Sequence, residues 1–176
     1  MNTKISILMF LGFFASDKID NEPVPIELSK YLGTWYEIAR FDHSFERGMD
    51  NVTAEYLLRD DGMVDVINSG WKNGKYKVAN GKARQPDPAA DPAHLEVSFF
   101  LFFFSDYNVM MLDDDYQIAL VGSKSPKYLW ILSRVPMPSD EVIASVVEEA
   151  EGRGYDTSQL IWVNQEKNVA NLGDTR

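Results

Sequence analysis

Only a handful of side chains in this 176-residue chain stand where they could act as acid, base, nucleophile or metal ligand. Asp42-His43-Ser44 sets an acid, a base and a hydroxyl in a row, the three types a hydrolytic triad needs. Such a triad is assembled from separate elements around an activated serine, and no Gly-x-Ser-x-Gly elbow presents one. His43 therefore reads as a loop residue. Asp113-Asp114-Asp115 invites a cation, yet the run lacks the spaced oxygen ligands and the glycine of a calcium loop, so no metal is expected there. Glu37 needs a second carboxylate to do acid–base work, and no strand supplies one of matching phase. With no cysteine and only two histidines, disulfide scaffolds, zinc–cysteine sites, iron–sulfur clusters and cysteine nucleophiles are excluded and a histidine-rich metal site is not expected. No catalytic residue and no cofactor is predicted. The chain reads as a binding protein rather than an enzyme.

Lys4 followed by the apolar run Ile5 to Ala15 has the layout of a secretory signal peptide, placed at residues 1–16. A buried first strand or a mobile arm is the alternative for this run. Residues 17–27, with Pro23 and Pro25, read as a linker, residues 28–165 as one domain and residues 166–176 as a polar tail. Seventeen Lys and Arg against 27 Asp and Glu give a net charge of −10, which repels polyanions and argues against nucleic-acid binding.

Strand signals recur at short intervals: Tyr36 to Phe41, Val52 to Arg59, Met63 to Ser69, Lys75 to Ala83, Leu95 to Phe100, Tyr107 to Leu112, Tyr116 to Val121 and Tyr128 to Arg134. Asp61-Gly62 and Asn73-Gly74 supply the positive φ that tight hairpins need. Eight consecutive antiparallel strands make a meander, and closing it into an up-and-down barrel removes its edges. The expected fold is all-β, an eight-stranded antiparallel barrel. After Pro136 to Pro138, Ser139 is a good N-cap, and Val142, Val146 and Ala150 recur at helical spacing. One helix is thus predicted to pack outside the barrel, followed by a ninth short strand at Leu160 to Asn164.

Residues on these strands carry a resemblance. Gly33-Thr34-Trp35 is similar to the Gly-x-Trp signature of lipocalins, Leu112 to Tyr116 resembles that family's second motif, and Trp130 to Arg134 resembles the third. Three motifs in order over about Tyr31 to Val163 resemble most the bacterial outer-membrane lipocalins related to apolipoprotein D. The resemblance implies a carrier of fatty acids, lysophospholipids or phospholipids in a bacterial envelope, and a homodimer. It also implies a lipid-modified cysteine after the leader. This chain reads Phe14-Ala15-Ser16-Asp17 there, so that anchor is not expected and a periplasmic or secreted protein is.

Within that frame, Gly33, Trp35, Asp113, Tyr116 and Arg134 are structural: Trp35 plugs the closed end, and Arg134 lies over its ring. The alternative role for Arg134 is recognition of a ligand carboxylate. Starting from Trp35, strict alternation sends Glu37, Ala39 and Phe41 inward. The same step points Tyr56, Asn68, Phe99, Tyr107, Met111 and Trp130 at a ligand. The wall is apolar and aromatic and suits an acyl chain; the alternative is a barrel filled by its own side chains. The rim is expected to include Phe45, Phe102, Phe103 and Phe104. Those phenylalanines line the mouth, touch a membrane surface or make a dimer contact, unless the run continues the fifth strand. A second function class follows from them, an envelope interaction protein working through its rim.

Overall fold

A computed structural model describes residues 19–99 and 103–173. The signal-peptide reading of residues 1–16 and the rim residue Phe102 lie outside these. A short helix α1 (Leu28–Tyr31) leads into β1 (Gly33–Arg40), β2 (Met49–Leu58), β3 (Val64–Lys72) and β4 (Lys75–Arg84). Then come β5 (Glu96–Ser98), β6 (Ser105–Asp106), β7 (Asn108–Leu112), β8 (Ile118–Gly122) and β9 (Leu129–Ser133). Helix α2 (Asp140–Gly152), strand β10 (Ile161–Trp162) and helix α3 (Glu166–Gly173) complete the chain.

The sheet is antiparallel throughout and runs β6-β5-β4-β3-β2-β1-β9-β8-β7, a nearly closed barrel, with β10 on β1. Its two ends, β6 and β7, are one stretch of chain that changes partner at Tyr107. Ser105 and Asp106 pair with β5, Asn108 to Leu112 pair with β8, and the Tyr107 N–H donates to the Leu95 carbonyl at 2.9 Å. The sixth expected strand, Tyr107 to Leu112, is thus present as β7, and β6 precedes it outside the expected bounds. The hairpins turn as predicted, with φ of 80° at Gly62, 52° at Asn73 and 72° at Gly74.

Apolar side chains divide into two cores. Inside the barrel, Tyr31, Trp35, Val64, Val66, Val109, Ala119 and Leu132 pack together. Outside it, Ile38, Phe41, Met110, Leu120 and Ile131 meet Val146 and Ala150 of α2 and Tyr155 beyond it. Strand β8 is buried along its whole length because one face looks into the barrel and the other is covered by α2. Ser139 caps α2, its hydroxyl accepting the Val142 N–H, and Asp140 and Glu141 occupy the first turn, where the helix dipole favours them.

Two of the expected flanks are not loose. The stretch from residue 19 to 27, expected as a linker, is laid along the barrel: Val24 N–H donates to the Val109 carbonyl at 2.8 Å, Asn21 Nδ2 donates to the Ser123 carbonyl at 2.8 Å, and Ile26 is buried. The tail from residue 166 carries α3, docked by Gln165, whose amide donates to the carbonyls of Glu37 at 2.7 Å and Val52 at 2.9 Å. Polar composition reported their lack of an apolar stripe and missed these backbone partners.

The sheet register shifts in three places, one of them between Asp50 and Thr53 where β2 pairs with β3, and the other two bear on the expected ligand contacts. The β1–β9 register shifts between Glu37 and Ala39, and the β7–β8 register shifts between Val109 and Met111. Each bulge adds one residue and reverses which face the following side chains take. Ala39 and Phe41 therefore belong to the outer core, Phe41 edge-on to Tyr155 with ring centroids 6.0 Å apart, and Met111 also packs against that core. The expectation that Phe41 and Met111 contact a ligand is corrected on this ground.

Candidate functional site

The closed end is held by Trp35, which is fully buried and donates from Nε1 to the Tyr31 carbonyl at 2.8 Å. The Arg134 guanidinium carbon lies 3.9 Å from the Trp35 ring centroid. Its nitrogens donate to the carbonyls of Thr34 and Leu32 at 2.8 Å, Lys30 at 2.9 Å, Tyr31 at 3.1 Å and Tyr116 at 3.2 Å. The guanidinium directs Nε, Nη1 and Nη2 at main-chain carbonyls and does not line the cavity, so it is not placed to meet a ligand carboxylate there. Gly33 sits at φ +93°, and a Cβ there would lie 3.4 Å from Arg134 Nη1. Asp113 Oδ1 accepts the N–H groups of Gln117 at 2.6 Å and Ile118 at 2.8 Å, which ties its carboxylate to the turn before β8. The Tyr116 hydroxyl accepts the Glu27 N–H at 2.9 Å.

Above this plug the barrel is hollow, with a cavity of about 440 Å³. Of the residues expected at a ligand, Glu37, Tyr56, Asn68, Phe99, Tyr107 and Trp130 line it, as do the rim residues Phe45 and Phe103. Phe104 does not line it; Arg84 covers its ring at 4.2 Å from the centroid. Tyr107 joins Tyr31 and Tyr56 in a chain of hydroxyls, each link 2.8 Å long. Burial pushes all three phenols up, Tyr56 to about 12, so they remain neutral.

A buried polar cluster lies just inside the mouth. The Arg40 guanidinium donates from Nη1 to Glu37 Oε1 and from Nη2 to the carbonyls of Glu46 at 2.9 Å and Met49 at 3.1 Å. Glu46 Oε2 accepts the Trp130 indole N–H at 3.1 Å and lies 2.9 Å from His43 Nε2. Burial, and then the neighbouring Glu46 charge, drive the Glu37 carboxyl well above the usual range, with Arg40 opposing. Burial also pushes Glu46 up, but the bonds from His43 and Trp130 and the charges around them outweigh it and hold Glu46 below the usual range.

Three members of this cluster were not legible in the strand pattern. Arg40 turns inward only because of the β1 bulge, and Glu46 and His43 arrive from the β1–β2 loop, to which period-two reasoning does not apply. Glu46 is the second carboxylate that Glu37 lacked in the sequence. His43 is a loop residue, as expected, but a buried one, with Phe45 stacked on it at 3.9 Å. Asp42, His43 and Ser44 do not form a triad, since Asp42 pairs with Arg47 at 2.7 Å while His43 faces Glu46.

Among the described residues, His94, Glu96 and Asp106 are the metal-ligating types that come together, within 4.8 Å. Arg84 already holds Glu96 at 2.6 Å and Lys124 holds Asp106 at 2.8 Å, which balances both carboxylates.

The Lipocalin-like domain family matches residues 26–165. This chain belongs to the lipocalin family. The lipocalin is 50% identical over 141 residues to the outer membrane lipoprotein Blc of Escherichia coli K12, covering 79% of each chain. It is 34% identical over 162 residues to apolipoprotein D of Bos taurus, covering 86% of this chain and 85% of that one. Insecticyanin from the tobacco hornworm Manduca sexta superposes with a TM-score of 0.67 at 23% identity, over 84% of this chain and 85% of that one, a likeness of fold. Membership makes this lipocalin a binding protein for small hydrophobic molecules, and not an enzyme.

Proposed function

We propose that this lipocalin carries lipids with an acyl chain, drawn from fatty acids, lysophospholipids and phospholipids, in a bacterial envelope. The observation that carries the reading is the cavity: about 440 Å³, walled by Val52, Val66, Val97, Val121, Leu132 and the rings of Tyr56 and Trp130, and open through an aromatic rim. A slot of that size and polarity holds an elongated apolar molecule by burial. The names of the bacterial relatives support an envelope location. Native mass spectrometry of freshly purified protein tests the reading; a co-purified lipid supports it. Titration of lipids of graded length against Trp130 fluorescence is the second arm. Flat, weak responses at every length defeat the proposal.

A second reading is favoured by the rim. Phe45 is 59% exposed and Phe103 74% exposed, side by side with the cavity mouth. Apolar rings on an acidic protein suit a membrane contact made through hydrophobic insertion rather than charge, or a homodimer contact through the same face. Replacing both Phe45 and Phe103 by Ser abolishes vesicle binding or dimerisation under this reading while pocket ligands still bind. Unchanged vesicle and self-association behaviour removes it.

A further inference from the structure

The net charge of −10 is unevenly placed. Asp60 and Asp61 in the β2–β3 turn and Asp113 to Asp115 in the β7–β8 turn put acids at the closed end. The β3–β4 hairpin reads Trp71-Lys72-Asn73-Gly74-Lys75-Tyr76-Lys77, with three cations and no acid. It stands at the open end, because Lys72 pairs with Met49, where β2 begins after the loop that carries Phe45. Several cations elsewhere come with acids: Arg59 with Asp61 at 2.9 Å, Arg84 with Glu96 at 2.6 Å, and Lys124 with Asp106 at 2.8 Å. Lys72, Lys75 and Lys77 make no ion pair among the described residues. Lys72 and Lys75 are directly opposite across the hairpin, an arrangement that costs stability. Trp71 and Tyr76 are opposite as well, with ring centroids 5.5 Å apart and Tyr76 56% exposed. Lys167 of α3 lies over the Trp71 ring, its Nζ 5.2 Å from the centroid, and Lys127 adds a cation from the β8–β9 loop of the same end. Against these lysines stand Asp50, opposite Trp71, and Glu166, beside Lys167.

We propose that this hairpin docks the open end on an anionic lipid bilayer, with Lys72, Lys75 and Lys77 at the headgroup phosphates and Trp71 and Tyr76 among the headgroups. The proposal goes beyond the carrier reading, since it holds whatever the cavity carries. To the rim reading it adds a headgroup requirement, because exposed phenylalanines insert without regard to charge. The sign at the contact is set locally: charges are screened over about 8 Å in physiological salt, whereas β3, at about 3.4 Å per residue, separates the hairpin from Asp60 and Asp61 by roughly 27 Å. Tryptophan and tyrosine, with an apolar body and a polar tip, suit the headgroup layer. Lysines also keep an open strand edge from pairing with another chain. That role fits Lys75 and Lys77 on β4, which meets β5 only from Lys82 onward, but not Lys72, which lies on the inner strand β3.

The test is cosedimentation of the full-length protein at pH 7 with vesicles of phosphatidylcholine alone and of phosphatidylcholine mixed with phosphatidylglycerol, at low and at high salt. Residues 1–18 are the same in every variant, so their contribution cancels between variants. Wild type is expected to prefer the anionic vesicles and to lose that preference at high salt. A lysine near an anionic surface strengthens binding about fivefold, so Lys72→Gln, Lys75→Gln and Lys77→Gln together weaken it about a hundredfold. Binding of that triple variant to neutral vesicles stays as in wild type. Lys30→Gln, Arg59→Gln and Lys82→Gln remove the same charge away from the hairpin and leave the preference in place. On heating, the hairpin variant unfolds no sooner than wild type, because the Lys72–Lys75 repulsion is gone. Equal binding to both vesicle types, a distant triple as damaging as the hairpin triple, a hairpin variant that unfolds early or aggregates, or a DNA oligonucleotide bound as tightly as the anionic vesicles overturns the proposal. Equal binding that Phe45→Ser with Phe103→Ser abolishes leaves the rim reading standing alone. Absence of binding to any vesicle removes both, and the carrier reading keeps its own test in the lipid titrations.

Discussion

Arg134 and Glu37 show how differently two charges in one barrel are treated. Arg134 keeps its charge because five main-chain carbonyls and an indole face receive it. Removing it by Arg134→Ala leaves those carbonyls without their donor and uncovers Trp35, at a cost of about 2–4 kcal/mol. Chemical denaturation measures that loss, and a variant as stable as wild type would deny Arg134 its role. Glu37 is the reverse case. Its folded-state pKa lies above the unfolded value near 4.5, so the native state holds the proton more tightly than the unfolded chain. Its contribution to stability is full below that value and is lost as pH rises through the folded pKa. Glu37→Gln keeps a hydrogen-bond partner for Arg40 and cannot ionise. The variant should therefore gain on wild type as pH climbs above 4.5, and denaturation curves that stay parallel from pH 4.5 to 8 contradict this.

At the scale of elements, the bulges in β1 and β7 matter more than any strand boundary. One extra residue near Ile38 brings Arg40 into the barrel wall and sends Phe41 to the helix side, and one near Met110 does the same for Met111. Helix α2 is secured by its buried face, so Leu120→Ala on the strand beneath it should cost about 2–5 kcal/mol through the cavity left behind. Helix α3 depends instead on polar anchors. Gln165→Ala frees two buried carbonyls and should cost about 1–3 kcal/mol. The same variant should speed proteolytic cleavage after residue 165, which limited digestion followed by mass spectrometry reads directly.

For the whole molecule, the barrel is a container with one sealed and one open end. Burial of an acyl chain contributes about 0.8 kcal/mol per methylene, so affinity should climb with length and then level off when the cavity is full. A ligand at a hundred times its Kd should stabilise the fold by about 2.7 kcal/mol, raising Tm by roughly 5–10 °C for a domain of this size. A thermal shift series over chain length reads both effects at once. A Tm that does not respond to any lipid is the contrary result.

The sequence by itself determined the meander, the helix that covers it, the hairpin turns and the plug of Trp35 and Arg134. Period-two and period-3.6 patterns, turn dipeptides and three short motifs are local, and they survive in the linear order of residues. Tertiary structure alone decided the chemistry of the mouth. A bulge is one unpaired residue with no compositional mark, yet it flips every side chain after it, which is how Arg40 came inward and Phe41 left. Loop residues have no phase to read, so Glu46 and His43 could be joined to Glu37 only by the way the β1–β2 loop folds back over the barrel. Docking of residues 19–27 and of α3 was hidden for a related reason: main-chain carbonyls, which every sequence has, hold them in place.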